Sequence, residues 1–244
     1  MTLPEIAALL GLNLALILVA MAALWAAAGR GRRIGFIDGV WPLGMVALAG
    51  TTFLLTEGDP VRKGLLLWLV AIWAAPQAWR RLSPASRSEA DERYARMVEV
   101  RAARFGWRRG VVSLLLVFLP QGVLAWLTAL PVQLGQVSFL PPVGWIGWAG
   151  AVLAVAGIGL EGWGALRLAA PRKSPNADAQ SGKGPPRWLR RPDYLGDVAV
   201  WCGLFLIAAE TGPGRWSVIG PVFLTLALVH WARTENPRRV GDGG

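Results

Sequence analysis

What most constrains this chain is the alternation of long apolar runs with loops that carry nearly all of its positive charge. Seven such runs are readable: Leu3 to Ala28, Gly39 to Thr56, Gly64 to Trp79, Val111 to Leu130, Val143 to about Leu168, Tyr194 to Ala209, and Trp216 to Trp231. If they cross a bilayer in turn, only Arg62, Lys63 and Arg215 fall on one side, and the other 22 of 25 cations fall on the opposite side. Cytoplasmic loops concentrate Lys and Arg, so this asymmetry predicts seven spans, an external N-terminus and a cytoplasmic C-terminus. Several runs are near 16 residues, shorter than the roughly 20 that a straight span needs. They are expected to extend into flanking residues or to cross a thinned region.

Composition agrees. The 244 residues are 54% hydrophobic and only 16% charged, with mean hydropathy +0.44 and 14 Trp. A soluble domain carries more charge. The net charge of +10 therefore reads as loop topology and not as nucleic-acid binding. One Cys (Cys202) excludes an internal disulfide, and with one His (His230) no metal site is expected. Leu3 to Ala28 is too long and lacks the basic leader of a cleavable signal, so it is read as a true span. The predicted class is an all-α, polytopic transmembrane helical bundle forming one membrane domain over 1–244. Residues 1–79 hold the first three spans, 80–110 a cytoplasmic amphipathic loop, and 111–244 the last four spans with the cofactor site. The uncharged stretch Pro131 to Pro142 is expected as an external loop.

Within 80–110, Ser88 and Asp91 form a capping-box signature, with acids early and arginines late, as a helix dipole favours. Tyr94, Met97, Val98, Ala102 and Phe105 recur at helical spacing. This predicts a basic amphipathic helix lying on the inner leaflet, with Arg93 and Tyr94 able to cover a cofactor mouth.

The stretch from Gly182 to Gly203 is a basic Gly/Pro-rich loop turning directly into a span. Lys183, Arg187, Arg190 and Arg191 precede Asp193, Tyr194 and Asp197. A helix N-terminus with arginines at its mouth suits an anion, although the same cations also suit a cytoplasmic anchor. Glu161 lies inside the fifth run, where an ionisable group is a functional candidate or half of a Glu–Arg pair. Asp38 opens the second run as a helix cap or a catalytic acid. Gln121 could bond a neighbouring helix. No Ser-His-Asp set, Walker loop or dinucleotide GxGxxG is present.

Several of these stretches together resemble bacterial membrane proteins related to steroid 5-alpha-reductase. They are FIDGVWPLG (Phe36 to Gly44), DERY (Asp91 to Tyr94), VFLPQGVLAWLTALPV (Val117 to Val132), the Glu161 region and RRPDYLGDVAVWCG (Arg190 to Gly203). The resemblance runs in order from Phe36 to Trp231. It implies a helical membrane fold whose C-terminal half wraps a cofactor, in the bacterial inner membrane. It further implies NADPH-dependent reduction of a double bond conjugated to a carbonyl in a membrane lipid. Related isoprenylcysteine carboxyl methyltransferases use S-adenosylmethionine instead, and a non-catalytic lipid-binding or partner subunit is the third expectation. The implied catalytic residues are Asp38 and Tyr94. The implied cofactor contacts are Glu161, Arg172, Arg190, Asp193, Tyr194, Asp197 and Trp201. The chain departs from the family run Arg-His-Pro-Asn-Tyr-x-Gly-Glu, with Arg191, Asp193 and Asp197 at the His, Asn and Glu positions. At the run Glu-x-x-Gly-Asp-x-Gln it has Glu161, Gly164, Ala165 and Arg167.

Overall fold

A computed structural model describes residues 1–28, 34–169 and 192–234, with the side chains of 165, 167–169, 192–193 and 231–234 left out. Among the described residues the chain is helical, without strands. The elements are α1 (Leu3–Ala27), α2 (Ile37–Leu55), α3 (Pro60–Arg81), α4 (Pro84–Phe105), α5 (Arg109–Thr128), α6 (Leu130–Leu134), α7 (Trp145–Ala169), α8 (Pro192–Ala209) and α9 (Ile219–Thr234). Five helical stretches are long and apolar enough to cross a membrane: α1, α2, α5, Trp145–Gly164 of α7, and Gly212–His230 leading through α9. The protein is membrane-embedded.

Each helix starts where its sequence lets it. Pro60 begins α3, and the Asp59 carboxylate accepts the Arg62 N–H at 2.8 Å, the cap that Asp favours. α4 begins earlier than the Ser88 signature suggests: Ser83 is its cap and Pro84 its first residue, so Ser88 lies inside the helix. It ends at Gly106, whose φ of +66° is a left-handed stop that glycine accepts without strain. Pro120 does not break α5. A π-turn over Leu114–Phe118 precedes it, widening the spiral so that the helix continues to Thr128 despite the missing N–H.

α8 is the hub. Val200, Trp201, Leu204, Ile207 and Ala208 along it are fully buried. Its apolar stretch Tyr194–Ala209 is wrapped largely by protein. It lies against α7 with glycines at the crossing. A Cβ on Gly196 would come within 2.8 Å of both the Glu161 Cβ and the Gly157 carbonyl oxygen. Small residues of this kind bring backbones together where lipid supplies no hydrophobic drive.

Two expectations change here. The uncharged stretch after α5 is not a free loop: Leu130, Pro131, Val132, Gln133 and Leu134 form the buried helix α6, and Gln136 and Val137 are buried after it. Gln136 Nε2 meets the Ala49 carbonyl at 3.1 Å, so its amide nitrogen is bonded inside the protein. The apolar stripe of α4 does not face the leaflet either. Ala90, Tyr94, Val98 and Ala102, four apart, join the core of the bundle, because a stripe this narrow is already filled by neighbouring helices. Phe105 remains outside at 46% exposure.

Candidate functional site at one end of the bundle

The start of α2, the end of α3, α4, the end of α7 and the start of α8 meet at one end of the bundle. Gly39 makes this possible, since a Cβ there would collide with Leu82, just past α3. Two polar clusters result.

The first joins FIDG to DERY, segments separated by 56 residues. The Tyr94 hydroxyl donates to Asp38 Oδ1 at 2.6 Å. Arg93 Nη2 donates to Asp38 Oδ2 and forms an ion pair with it. The Arg93 guanidinium also sits 5.2 Å from the centre of the Tyr94 ring, within cation–π range. One turn earlier, Asp91 Oδ1 accepts the Gly35 N–H at 2.6 Å. Gly35 approaches the α4 backbone so closely that a Cβ would lie 2.7 Å from the Asp91 nitrogen. Asp91, Arg93 and Tyr94 therefore all grip the segment that presents Asp38. Gln121 Nε2 donates to the Tyr94 oxygen at 3.3 Å, from α5. Asp38 is not the α2 cap; Phe36 occupies that position. Burial, then the negative charge of Asp38, raises the Tyr94 phenol above its ordinary range, and the opposing Arg93 charge does not cancel this. Tyr94 is therefore a protonated donor at neutral pH. Trp41, three residues after Asp38 on α2, has a buried indole N–H with no partner among the described residues.

The second cluster joins α3, α7 and α8. Trp73 Nε1 and Gln77 Nε2 both donate to Asp197 Oδ1, at 2.9 and 3.1 Å. Arg80 Nη2 donates to Gln77 Oε1 at 3.1 Å and to Glu161 Oε1 at 3.0 Å. Glu161 and Asp197 are 4% and 7% exposed, so both carboxylates reach the interior already bonded. The pairing of Glu161 with an arginine matches one of the two sequence readings, and the partner is Arg80 of α3. Trp201 is fully buried edge-on to Trp73, with ring centres 5.3 Å apart. Tyr194 is half-buried and packs against the core.

Arg172 and Arg190 lie outside the described residues, and so does the side chain of Asp193. Sequence reading missed Trp73, Gln77 and Arg80. Their signal was present as a polar stripe, three and four residues apart on one face of α3, but Arg80 was assigned to the loop.

No curated protein and no solved structure matches the chain. The model of a family described as a protein of unknown function, DUF1295, matches residues 24–238. That span contains both polar clusters and every helix from α2 to α9. The chain belongs to this family, the steroid 5-alpha-reductase-like group of membrane proteins.

Proposed function

We propose that this is a seven-span enzyme of the bacterial inner membrane, N-terminus outside and C-terminus in the cytoplasm. In this reading it uses NADPH to reduce a carbon–carbon double bond conjugated to a carbonyl in a membrane lipid. Counting α3 as a span is supported by the bulky apolar side chains it turns outward: Trp68 at 66%, Ile72 at 55% and Trp79 at 83% exposure. Its cations Arg62, Lys63, Arg80 and Arg81 sit at its two ends. Counting α8 is supported by its central, protein-wrapped position.

The observation that carries the reading is the 2.6 Å bond from Tyr94 to Asp38, made from distant segments and braced by Arg93. Enone reduction adds hydride to the β-carbon and then a proton from water to the α-carbon, and needs a donor on the carbonyl oxygen to stabilise the enolate between the two steps. Tyr94 supplies that donor by turning its hydroxyl hydrogen from Asp38 to the incoming oxygen. Arg93 stays on Asp38 and keeps its charge paired during the exchange. The orphaned Trp41 N–H offers a second donor on the same helix as Asp38. NADPH, when bound, supplies the hydride.

The donor set fits a nucleotide. Arg80 and Arg81 close α3, and α8, opened by Pro192, starts near the same end, where the helix dipole favours an anion. Arg172, Arg190 and Asp193 are proposed as further contacts, with Tyr194 beside them. One observation favours a second reading, a non-catalytic lipid-binding subunit: Glu161 and Asp197 are satisfied by the protein itself.

Melting of the purified protein with NADPH and with S-adenosylmethionine tests the proposal. Stabilisation by NADPH alone is expected. Stabilisation by S-adenosylmethionine alone would make it a methyltransferase, and no response to either, with a silent Tyr94→Phe variant, would favour the non-catalytic subunit.

A further inference from the structure

Arg80 hydrogen-bonds within the second cluster, and it is only partly withdrawn from solvent. Its side chain keeps 39% exposure while its partner Glu161 keeps 5%. The guanidinium is held in a fixed pose by two acceptors, Gln77 Oε1 at 3.1 Å and Glu161 Oε1 at 3.0 Å. Both bonds use the same nitrogen, Nη2, and the side chain keeps an open side. Gln77 is itself fixed from the inside, since its amide nitrogen donates to Asp197. The α3 helix thus ends with an arginine on Glu161, whose Cβ lies against Gly196 just past the first turn of α8, and the start of a helix favours an anion.

We propose that Arg80 is an anion-binding residue for a phosphate-bearing ligand, and that Glu161 is its resting counter-ion, displaced as the phosphate arrives. This deepens the reading of a cofactor site and rests on it for the location of the ligand. It reverses the role expected for Glu161: the carboxylate competes with the ligand instead of contacting it. Gln77 keeps the guanidinium aimed during the exchange. A planar fork that already faces the open side forms charge-assisted bonds to a phosphate without reorganising.

The test uses the full chain in nanodiscs of neutral lipid, titrated with inorganic pyrophosphate. Glu161→Gln keeps an acceptor for Arg80 but removes the competing charge. It is expected to bind pyrophosphate about two- to fivefold more tightly, the scale of a part-exposed ion pair. Arg80→Gln is expected to bind roughly tenfold or more weakly, the loss of a charge-assisted bond. Arg80→Lys should fall between, because it keeps charge without the fork. Unchanged or weaker binding by Glu161→Gln overturns the proposal. If that variant does not fold, unchanged binding by Arg80→Gln overturns it. Repeating the titration in nanodiscs containing phosphatidylglycerol separates the sources. Loss of pyrophosphate binding there identifies a lipid headgroup as the occupant, and retained binding identifies a soluble phosphate. NADPH that fails to bind while pyrophosphate behaves as described removes the reductase reading and leaves this one standing.

Discussion

The end of the bundle proposed to face outward also contains an ion pair, and it is built on opposite lines from those at the end proposed to face inward. Arg62, on the first turn of α3, has no exposed side-chain surface. Its Nε donates to the Ile207 carbonyl at 3.2 Å, and its Nη2 donates to the Pro141 carbonyl at 2.8 Å and to Glu210 at 3.4 Å. Glu210 in turn accepts the N–H groups of Gly144 and Gly147 at 2.9 Å each, closing the start of α7. Main-chain partners on both sides fix this pair, and it ties α3, α7 and α8 together. At the inner end the partners are other side chains, and Arg80 and Arg93 keep 39% and 57% exposure. The same helix, α3, therefore carries a sealed arginine at one end and an exchangeable one at the other. A charge that must only hold helices is buried among carbonyls, whereas one that meets a ligand keeps an open side.

Breaking the outer pair should have the largest effect. Arg62→Leu leaves Glu210 buried and unpaired, and is expected to cost about 3–5 kcal/mol, read as loss of folded protein in a detergent melt. The double change Arg62→Leu with Glu210→Leu should recover part of that loss. Next comes the crossing of α7 and α8: Gly196→Ala forces a Cβ against the Gly157 carbonyl and Glu161, with an expected cost of about 1–3 kcal/mol in the same melt.

Much of this was legible in advance, and the parts that were not share a cause. Hydropathy located the five helices long and apolar enough to span, because lipid contact acts on each segment separately. DERY and FIDG were both visible, yet nothing local says that Asp91, Arg93 and Tyr94 close on Gly35 and Asp38. That pairing depends on how α4 docks. The burial of α6 was hidden for the same reason: an uncharged segment can stay in solvent or pack under neighbouring helices, as Gly135 does against Leu66 and Ala208. Arg80 was hidden by the length of α3, which runs on to Arg81.

Smaller effects belong to the inner end. Tyr94→Phe removes one hydrogen bond and should cost about 1 kcal/mol. Its pH dependence is more telling. The folded phenol is raised above its unfolded value, so its contribution is complete below about pH 10 and is lost as the pH climbs beyond it. Alkaline melting should therefore steepen in the wild type and be shallower in Tyr94→Phe. The smallest effect is expected at Glu99, whose pair with Arg109 is 65% and 71% exposed. Glu99→Ala should shift stability by less than about 0.5 kcal/mol. Sidedness sharpens the same contrast: on intact cells, with Cys202 replaced, an impermeant maleimide should label Glu57→Cys and spare Glu99→Cys.

Hydrogen–deuterium exchange with and without NADPH addresses the division of labour most directly. Protection is expected at the inner ends of α2, α3 and α7 and along α4, where Asp38, Arg80, Glu161 and Tyr94 lie, with no change around Arg62, Pro141 and Glu210. Protection centred on those outer residues, or none at the inner end, would contradict the assignment of the working site.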